Sequence, residues 1–273
     1  MKHPNFALKT LVISLSAAFA GQALAEDVHK TKIPRIDIIE NTSGAEYKQP
    51  GSVNVVSQEQ LELSQPLSTE DALRKVPGVN IKGEEESAVV ANIGLRGLSS
   101  AEQKTLLLED GVPVAPGLFI GNGRYYNPRI QHIESIEVLK GASSLRYGPS
   151  TIGGVINYQS KTPEDGVVIS GRTGSFGLRE GTVEIGGSSP SGDAQVGVVY
   201  TKAESDGFQH KHYKMDDLMI KAGMEIGDNQ WVGIKFGHYE NDANISYRGL
   251  FLQDYKDRKT YNPAPDDYFL TER

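Results

Sequence analysis

The chain contains no cysteine and only one tryptophan in 273 residues. Without cysteine, disulfide bonds cannot stabilise an exported form of the chain, so a hydrophobic core or a closed sheet must do so. No continuous apolar run reaches the ~18 residues that a membrane-spanning helix requires. Basic residues are in the minority, with 28 Lys and Arg against 35 Asp and Glu. This balance argues against a nucleic-acid partner, whose phosphates need clustered positive charge.

Glycine is abundant, and the start of the chain has a distinct composition. Thirty glycines together with an aromatic content of 8% predict a protein rich in strands and turns. Lys2 and Lys9 precede the apolar run 11–20, and the small residues of Ala23-Leu24-Ala25 follow it. This order is typical of a cleaved secretory signal. We therefore predict a signal peptide over residues 1–25.

Residues 26–49 have the composition of an extended tether. The segment is polar, is interrupted by Pro34, and carries one apolar island at Ile36, Ile38 and Ile39. Most such islands have no role, but an extended one can pair with the sheet edge of a partner. A glycine-rich unit is predicted from residue 50 to residue 163. Its predicted elements are strands at 52–57, 91–95, 105–108 and 133–139 and a helix at 69–75 with Ser68 as its cap.

From residue 166 onward, apolar and polar residues alternate along predicted strands. The apolar faces comprise Val196, Val198 and Tyr200; Leu218, Ile220, Ala222, Met224 and Ile226; and Val232, Ile234 and Phe236. The opposite faces carry Lys221, Glu225, Gly233 and Lys235. A soluble sandwich and a membrane barrel both fit this alternation. Strands of about ten residues, joined alternately by tight turns and long loops, favour the outer-membrane barrel.

Six landmarks, in order, carry a resemblance to the TonB-dependent outer-membrane receptors. They are PGSVNVV at 50–56, DAL with VPGV at 71–79, NIGLRG at 92–97, LEDGVPV at 108–114, IESIEV with KG at 133–141, and YG with GGVIN at 147–157. The resemblance covers residues 50–163 closely and the remainder more loosely. Within the family, the segment DGVPV with RYGP and GGVINY is most similar to the branch of the ferric dicitrate receptor.

The resemblance implies an α+β plug domain over 50–163, followed over 166–273 by the first strands of a transmembrane antiparallel β-barrel. Family barrels have about 22 strands, whereas residues 166–273 hold about five strands of roughly ten residues each. An open sheet edge in lipid leaves backbone groups unpaired. We therefore expect the barrel to continue beyond Arg273, and a stop codon directly after that residue would contradict this expectation.

The resemblance also implies a function, partners and a location. The protein is expected to be an outer-membrane receptor of a Gram-negative bacterium that imports a ferric siderophore, with ferric citrate or another carboxylate siderophore as ligand. Its plug and tether would face the periplasm, its barrel would contact outer-membrane lipid, and its energy would come from TonB. The expected TonB-binding segment consists of Arg35, Ile36, Asp37, Ile38, Ile39 and Glu40, which departs from the usual acidic-Thr-x-Val-Val form.

Two further sets of residues follow from the family pattern. Arg96 and Arg146 fit the plug arginines that engage barrel glutamates, and their partners would lie beyond residue 273. The alternative is that both are solvated surface arginines. Ligand contacts are expected at the outer end of the plug, where Arg124 would bind carboxylates. The full predicted ligand set is Gln103, Lys104, Phe119, Arg124, Tyr125 and Tyr126.

Other functions have weaker support in the sequence. No arrangement of a nucleophilic site and no phosphate-binding glycine motif is present, so neither an enzyme nor a permanently bound cofactor is expected. Glu84-Glu85-Glu86 is typical of a solvated turn, and His210 with His212 lacks a third ligand, so no metal site is predicted. Uptake of haem, cobalamin or another siderophore stays open within the same class. A passive or adhesive outer-membrane β-protein is the alternative from another class.

Overall fold

The computed structural model shows an N-terminal unit followed along the chain by a long antiparallel sheet. The residues described are 33, 51–83, 91–98, 104–114, 127–148, 151–207, 211–227, 230–244, 252, 256 and 269–272. The predicted signal peptide, all of the predicted tether except residue 33, and every predicted ligand residue except Lys104 lie outside the described residues. Among the described residues, no helix is long and apolar enough to cross a membrane.

The described part of the N-terminal unit contains seven strands and two α-helices. The strands are β1 (Ser52–Val56), β2 (Val79–Gly83), β3 (Ala91–Leu95), β4 (Thr105–Glu109), β5 (Val112–Pro113), β6 (Ile133–Lys140) and β7 (Gly154–Ser160). The helices are α1 (Gln58–Ser64) and α2 (Thr69–Leu73), and two 3₁₀ helices span Ile130–His132 and Ala142–Tyr147. Five strands form a mixed sheet in the order β1-β6-β7-β4-β5, in which β4 and β7 run parallel, and β2 pairs with β3.

The predicted strands at β1, β3, β4 and β6 are confirmed to within one residue at either end. Strands β6 and β7 are buried along most or all of their length, and Ile136, Val138, Ile156 and Tyr158 form the centre of the core. Ser68 caps the predicted helix, since its hydroxyl accepts a hydrogen bond from the Asp71 amide at 3.2 Å. That helix ends at Leu73, two residues earlier than predicted.

A long antiparallel sheet follows the N-terminal unit. Its strands are β8 (Gly166–Thr173), β9 (Arg179–Ser188), β10 (Ala194–Ser205), β11 (Tyr213–Ile226), β12 (Gln230–Asn244) and β13 (Phe269–Glu272), each hydrogen-bonded to the next. The sheet thus has six described strands, one more than predicted, and β10 to β12 extend to between 12 and 15 residues.

The two faces of this sheet differ in character, as the alternation predicts. Ile169, Ile234 and Phe236 are 77%, 71% and 56% exposed on the side away from the N-terminal unit. Lys221 and Lys235, from the opposite face, instead contact the N-terminal unit. The N-terminal unit therefore packs against the polar face of the long sheet, and an apolar face is left outward.

Candidate functional site

The contact between the N-terminal unit and the long sheet is centred on two neighbouring lysines. Lys221 of β11 and Lys235 of β12 are directly opposite each other in the strand register. Lys221 Nζ donates to the backbone oxygen of Ser160 at 2.9 Å, and Lys235 Nζ donates to Ser160 Oγ at 3.0 Å. Ser160 is the last residue of β7, so both lysines bind the N-terminal unit close to where it continues into the long sheet.

A tight turn brings two carboxylates to these lysines. Strand β4 ends at Glu109, and Asp110 and Gly111 have φ values of 49° and 78°. Positive φ at both positions is typical of the two-residue turn that an Asp-Gly pair favours. Lys235 Nζ lies 2.5 Å from Glu109 Oε1 and 2.6 Å from Asp110 Oδ2, and Lys221 Nζ lies 3.5 Å from Asp110 Oδ1.

Asp110 is held in place by the neighbouring end of β7. The Ser160 amide donates to Asp110 Oδ1 at 2.9 Å, and the Ser160 hydroxyl donates to Asp110 Oδ2 at 2.5 Å. Burial alone would raise the pKa of Asp110, but the charges of Lys221 and Lys235 and these hydrogen bonds lower it below its usual value. Asp110 is therefore a carboxylate at neutral pH.

His132 joins this group from the 3₁₀ helix before β6. Its side chain is only 4% exposed, with Nδ1 at 2.6 Å from Asp217 Oδ2 and Nε2 at 3.5 Å from Glu109 Oε1. Burial alone would lower the pKa of His132, but the two carboxylates raise it to about 9. Burial likewise opposes ionisation of Glu109, yet His132 and Lys235 lower the pKa of Glu109 well below its usual value. His132 is thus an imidazolium at neutral pH, and each of its ring nitrogens faces a carboxylate.

Six charged groups are joined by these contacts and are called the charged cluster below. Its members are Glu109, Asp110, His132, Asp217, Lys221 and Lys235. Three carboxylates meet three cations only when His132 is protonated, so the raised pKa of the imidazole also balances the charge. A buried charge is tolerated where it is paired and hydrogen-bonded, and it becomes costly when one partner is removed.

Two contacts extend the interface on the side of β9. Gln131 Nε2 donates to Glu180 Oε2 at 2.7 Å, and Lys161 Nζ donates to Glu184 Oε1 at 2.7 Å. Polar side chains of β9, β11 and β12 therefore all bind the N-terminal unit. Charges and hydrogen bonds therefore contribute to the attachment of the N-terminal unit to the long sheet.

The two arginines predicted as lock residues are both exposed. Arg96 follows β3 with φ of 55°, and its amide donates to the Gly78 oxygen at 3.2 Å. The Arg146 guanidinium lies over the Tyr147 ring, 4.9 Å from its centroid. They do not belong to the charged cluster.

One predicted ligand residue is described. Lys104 immediately precedes β4, and its carbonyl accepts a hydrogen bond from the Gly153 amide at 2.7 Å. The remaining predicted ligand and TonB-binding residues lie outside the described residues: Arg35, Ile36, Asp37, Ile38, Ile39, Glu40, Gln103, Phe119, Arg124, Tyr125 and Tyr126.

Comparison with known proteins identifies the domain family of the N-terminal unit. Residues 45–155 match the family model of the TonB-dependent receptor plug domain. The iron-regulated outer membrane virulence protein of Vibrio cholerae is 34% identical over 156 residues, which is 54% of this chain and 23% of that protein. The vitamin B12 transporter BtuB of Vibrio vulnificus is 24% identical over 255 residues, which is 90% of this chain and 40% of that protein.

A solved structure extends the likeness to the long sheet. The unliganded ferric citrate transporter FecA superposes with a TM-score of 0.70 at 21% identity, over 85% of this chain and 37% of that one. This likeness concerns the fold: a plug domain followed by strands of a transmembrane β-barrel. The chain spans less than half the length of each of these three proteins.

Proposed function

Because residues 45–155 match the plug domain of the TonB-dependent receptors, we propose that this chain is part of such a receptor and that the receptor imports a ferric siderophore across the outer membrane, with ferric citrate or another carboxylate siderophore as its ligand. The protein is located in the outer membrane of a Gram-negative bacterium, and its plug faces the periplasm. The observation that carries the proposal is a plug bound by charged contacts to the polar face of a sheet whose other face is apolar.

The domain organisation is part of this proposal. A signal peptide occupies residues 1–25, a tether 26–49 and a plug 50–163, and barrel strands begin at residue 166. The siderophore is transported cargo and not a resident cofactor, and the family is one of transport receptors. The plug closes the barrel lumen until energy from TonB moves it.

The ligand class depends on the outer end of the plug. A carboxylate siderophore is anionic, so the guanidinium of Arg124 would bind it through charge-assisted hydrogen bonds, helped by Gln103 and Lys104. Phe119, Tyr125 and Tyr126 would supply apolar contact. The likeness to the ferric citrate transporter supports this class, whereas the likeness to the vitamin B12 transporter is what keeps cobalamin as the second candidate.

The energy-coupling segment is proposed at residues 35–40. An extended segment adds to the sheet of a partner through its backbone hydrogen bonds. Proline has no amide hydrogen and fixes φ, so it cannot continue such a pairing.

We expect Ile38→Pro to reduce uptake of ferric citrate to the level of cells without TonB, while binding of ferric citrate to the cell surface stays unchanged. Ile38→Val is the matched control and should transport normally. Uptake of radioactive iron and binding at 0 °C are measured on the same cells. Normal uptake by Ile38→Pro would exclude residues 35–40 as the coupling segment.

Arg96 and Arg146 are proposed to face carboxylates of barrel strands. If Arg96 faces a barrel glutamate, a glutamate at position 96 would repel it. The substitution Arg96→Glu should therefore release the plug. A glutamate-to-arginine change at the correct barrel position should then restore uptake. If no such change restores it in the full-length receptor, Arg96 has no lock role.

A further inference from the structure

The face of the long sheet that carries the two lysines also holds a buried apolar cluster that includes Ala203 and Met215. Another apolar site on this face is formed by the only tryptophan of the chain. Trp231 lies in β12, and its indole covers Gly223 and Gly233, which are paired across β11 and β12. A methyl group added to either glycine would overlap indole carbons. The indole can lie against the sheet because neither Gly223 nor Gly233 has a side chain.

Ile33 of the tether is in contact with this site. Its amide donates to Gln195 Oε1 of β10 at 3.3 Å. A Cβ atom added to Gly223 would lie 3.2 Å from Ile33 Cγ1, so the isoleucine side chain covers the same glycine as the indole. Ile33, Gln195 and Trp231 are each partly buried. The tether is thus attached to the sheet by one hydrogen bond and by apolar packing on Gly223.

The site lies at the end of the sheet where β9 connects to β10 and β11 connects to β12. Gln195 is the second residue of β10 and Trp231 the second residue of β12, so both directly follow short connections between strands. In outer-membrane barrels the short turns are periplasmic. Because Ile33 contacts Gln195 and Gly223, it is held at the end of the sheet that would be periplasmic. Ile33 also comes two residues before Arg35, the first residue of the proposed coupling segment.

We propose that Gln195, Gly223 and Trp231 form a docking site for the tether, with Ile33 as its occupant, which holds the start of the coupling segment at a fixed point of the barrel mouth. The consequence for coupling rests on the proposed function, whereas the docking itself does not. Without this contact the indole and the isoleucine would both be more exposed to water, and their mutual burial is favourable because it removes apolar surface from water.

The absence of cysteine in these 273 residues makes site-directed cross-linking selective. Ile33→Cys is combined with Gln195→Cys in the full-length receptor in outer membranes and treated with a short bifunctional thiosulfonate reagent. The control combines Ile33→Cys with Val196→Cys, because successive residues of a strand point to opposite faces. The two double variants are compared at equal amounts in the membrane.

We expect the pair with position 195 to cross-link several-fold more than the pair with position 196, and Trp231→Ala to reduce that yield several-fold. Equal yields for the two pairs would overturn the docking site, as would a yield unchanged by Trp231→Ala. In the full-length receptor without introduced cysteines, Ile33→Asp should lower iron uptake but should not lower surface binding of ferric citrate. Cross-linking without any TonB-dependent uptake in the parent would keep the docking site and reject the proposed function.

Discussion

Replacing Lys235 with methionine is expected to loosen the plug from the barrel wall and to lower the free energy of unfolding of the plug by about 3 kcal/mol. The substitution leaves Glu109 and Asp110 at the interface without the ammonium that lies 2.5 and 2.6 Å from them. The expected loss lies at the lower end of the usual cost of breaking a buried ion pair, because 27% of the Lys235 side chain is exposed. Thermal unfolding of the purified full-length receptor measures the change.

Lys202→Met is the matched control for this prediction. Lys202 also bonds a carboxylate, at 2.8 Å from Asp216 Oδ1, but its side chain is 65% exposed. An exposed ion pair contributes only about 0–1 kcal/mol, so this variant should unfold as the parent does. Lys235→Arg keeps the charge and should retain most of the stability. Equal behaviour of the two methionine variants would contradict the role assigned to the charged cluster.

The second large effect is expected at His132. The substitution His132→Phe removes the cation between Asp217 and Glu109 while keeping a ring in the site. Because the imidazole is almost fully buried, we expect a loss of about 3–5 kcal/mol at pH 7, the cost of leaving a buried charge without its partner. His238→Phe, at an exposed position of β12, is the control and should have little effect.

The contribution of His132 also predicts a pH dependence. The pKa of His132 is raised from 6.5 to about 9, so its stabilisation is complete below about pH 6.5 and is lost as the pH rises through about 9. The pKa of Glu109 is lowered from its usual 4.5, so its stabilisation is complete above about pH 4.5 and is lost at lower pH.

Attachment of the plug should therefore be strongest between about pH 4.5 and pH 6.5 and should weaken on the alkaline side. Thermal unfolding from pH 5 to pH 10 measures this. The alkaline decrease should be much smaller in His132→Phe. An equal alkaline decrease in parent and variant would assign it to other groups.

The sequence predicts the strands well where burial is regular. Strands β3 and β4 and the alternating faces of β11 and β12 follow from local patterns of apolar residues. Helix α1 was not predicted, although its signal is present. Ser57 Oγ accepts from the Gln60 amide at 3.3 Å, and Gln60 Oε1 accepts from the Ser57 amide at 3.1 Å. This reciprocal pair is a capping box, which a search for Ser followed three residues later by Gln finds.

The charged cluster could not be predicted in the same way. Lys235 is 126 residues from Glu109, and His132 is 85 residues from Asp217. Lys221 stands opposite Lys235 only in the observed register of β11 and β12, and a shift by one residue would turn either lysine to the other face. The sequence assigns Lys221 and Lys235 to a polar face, but only the packing of the plug against that face gives the two lysines their partners.

The most direct test of the account is uptake of radioactive iron by iron-starved cells that express the full-length receptor. Ferric citrate is supplied to strains with and without a working TonB. We expect uptake that depends on both the receptor and TonB. Uptake that is unchanged by the loss of TonB would contradict it and would favour a passive outer-membrane protein, whereas TonB-dependent uptake of a different ligand would keep the receptor and replace its substrate.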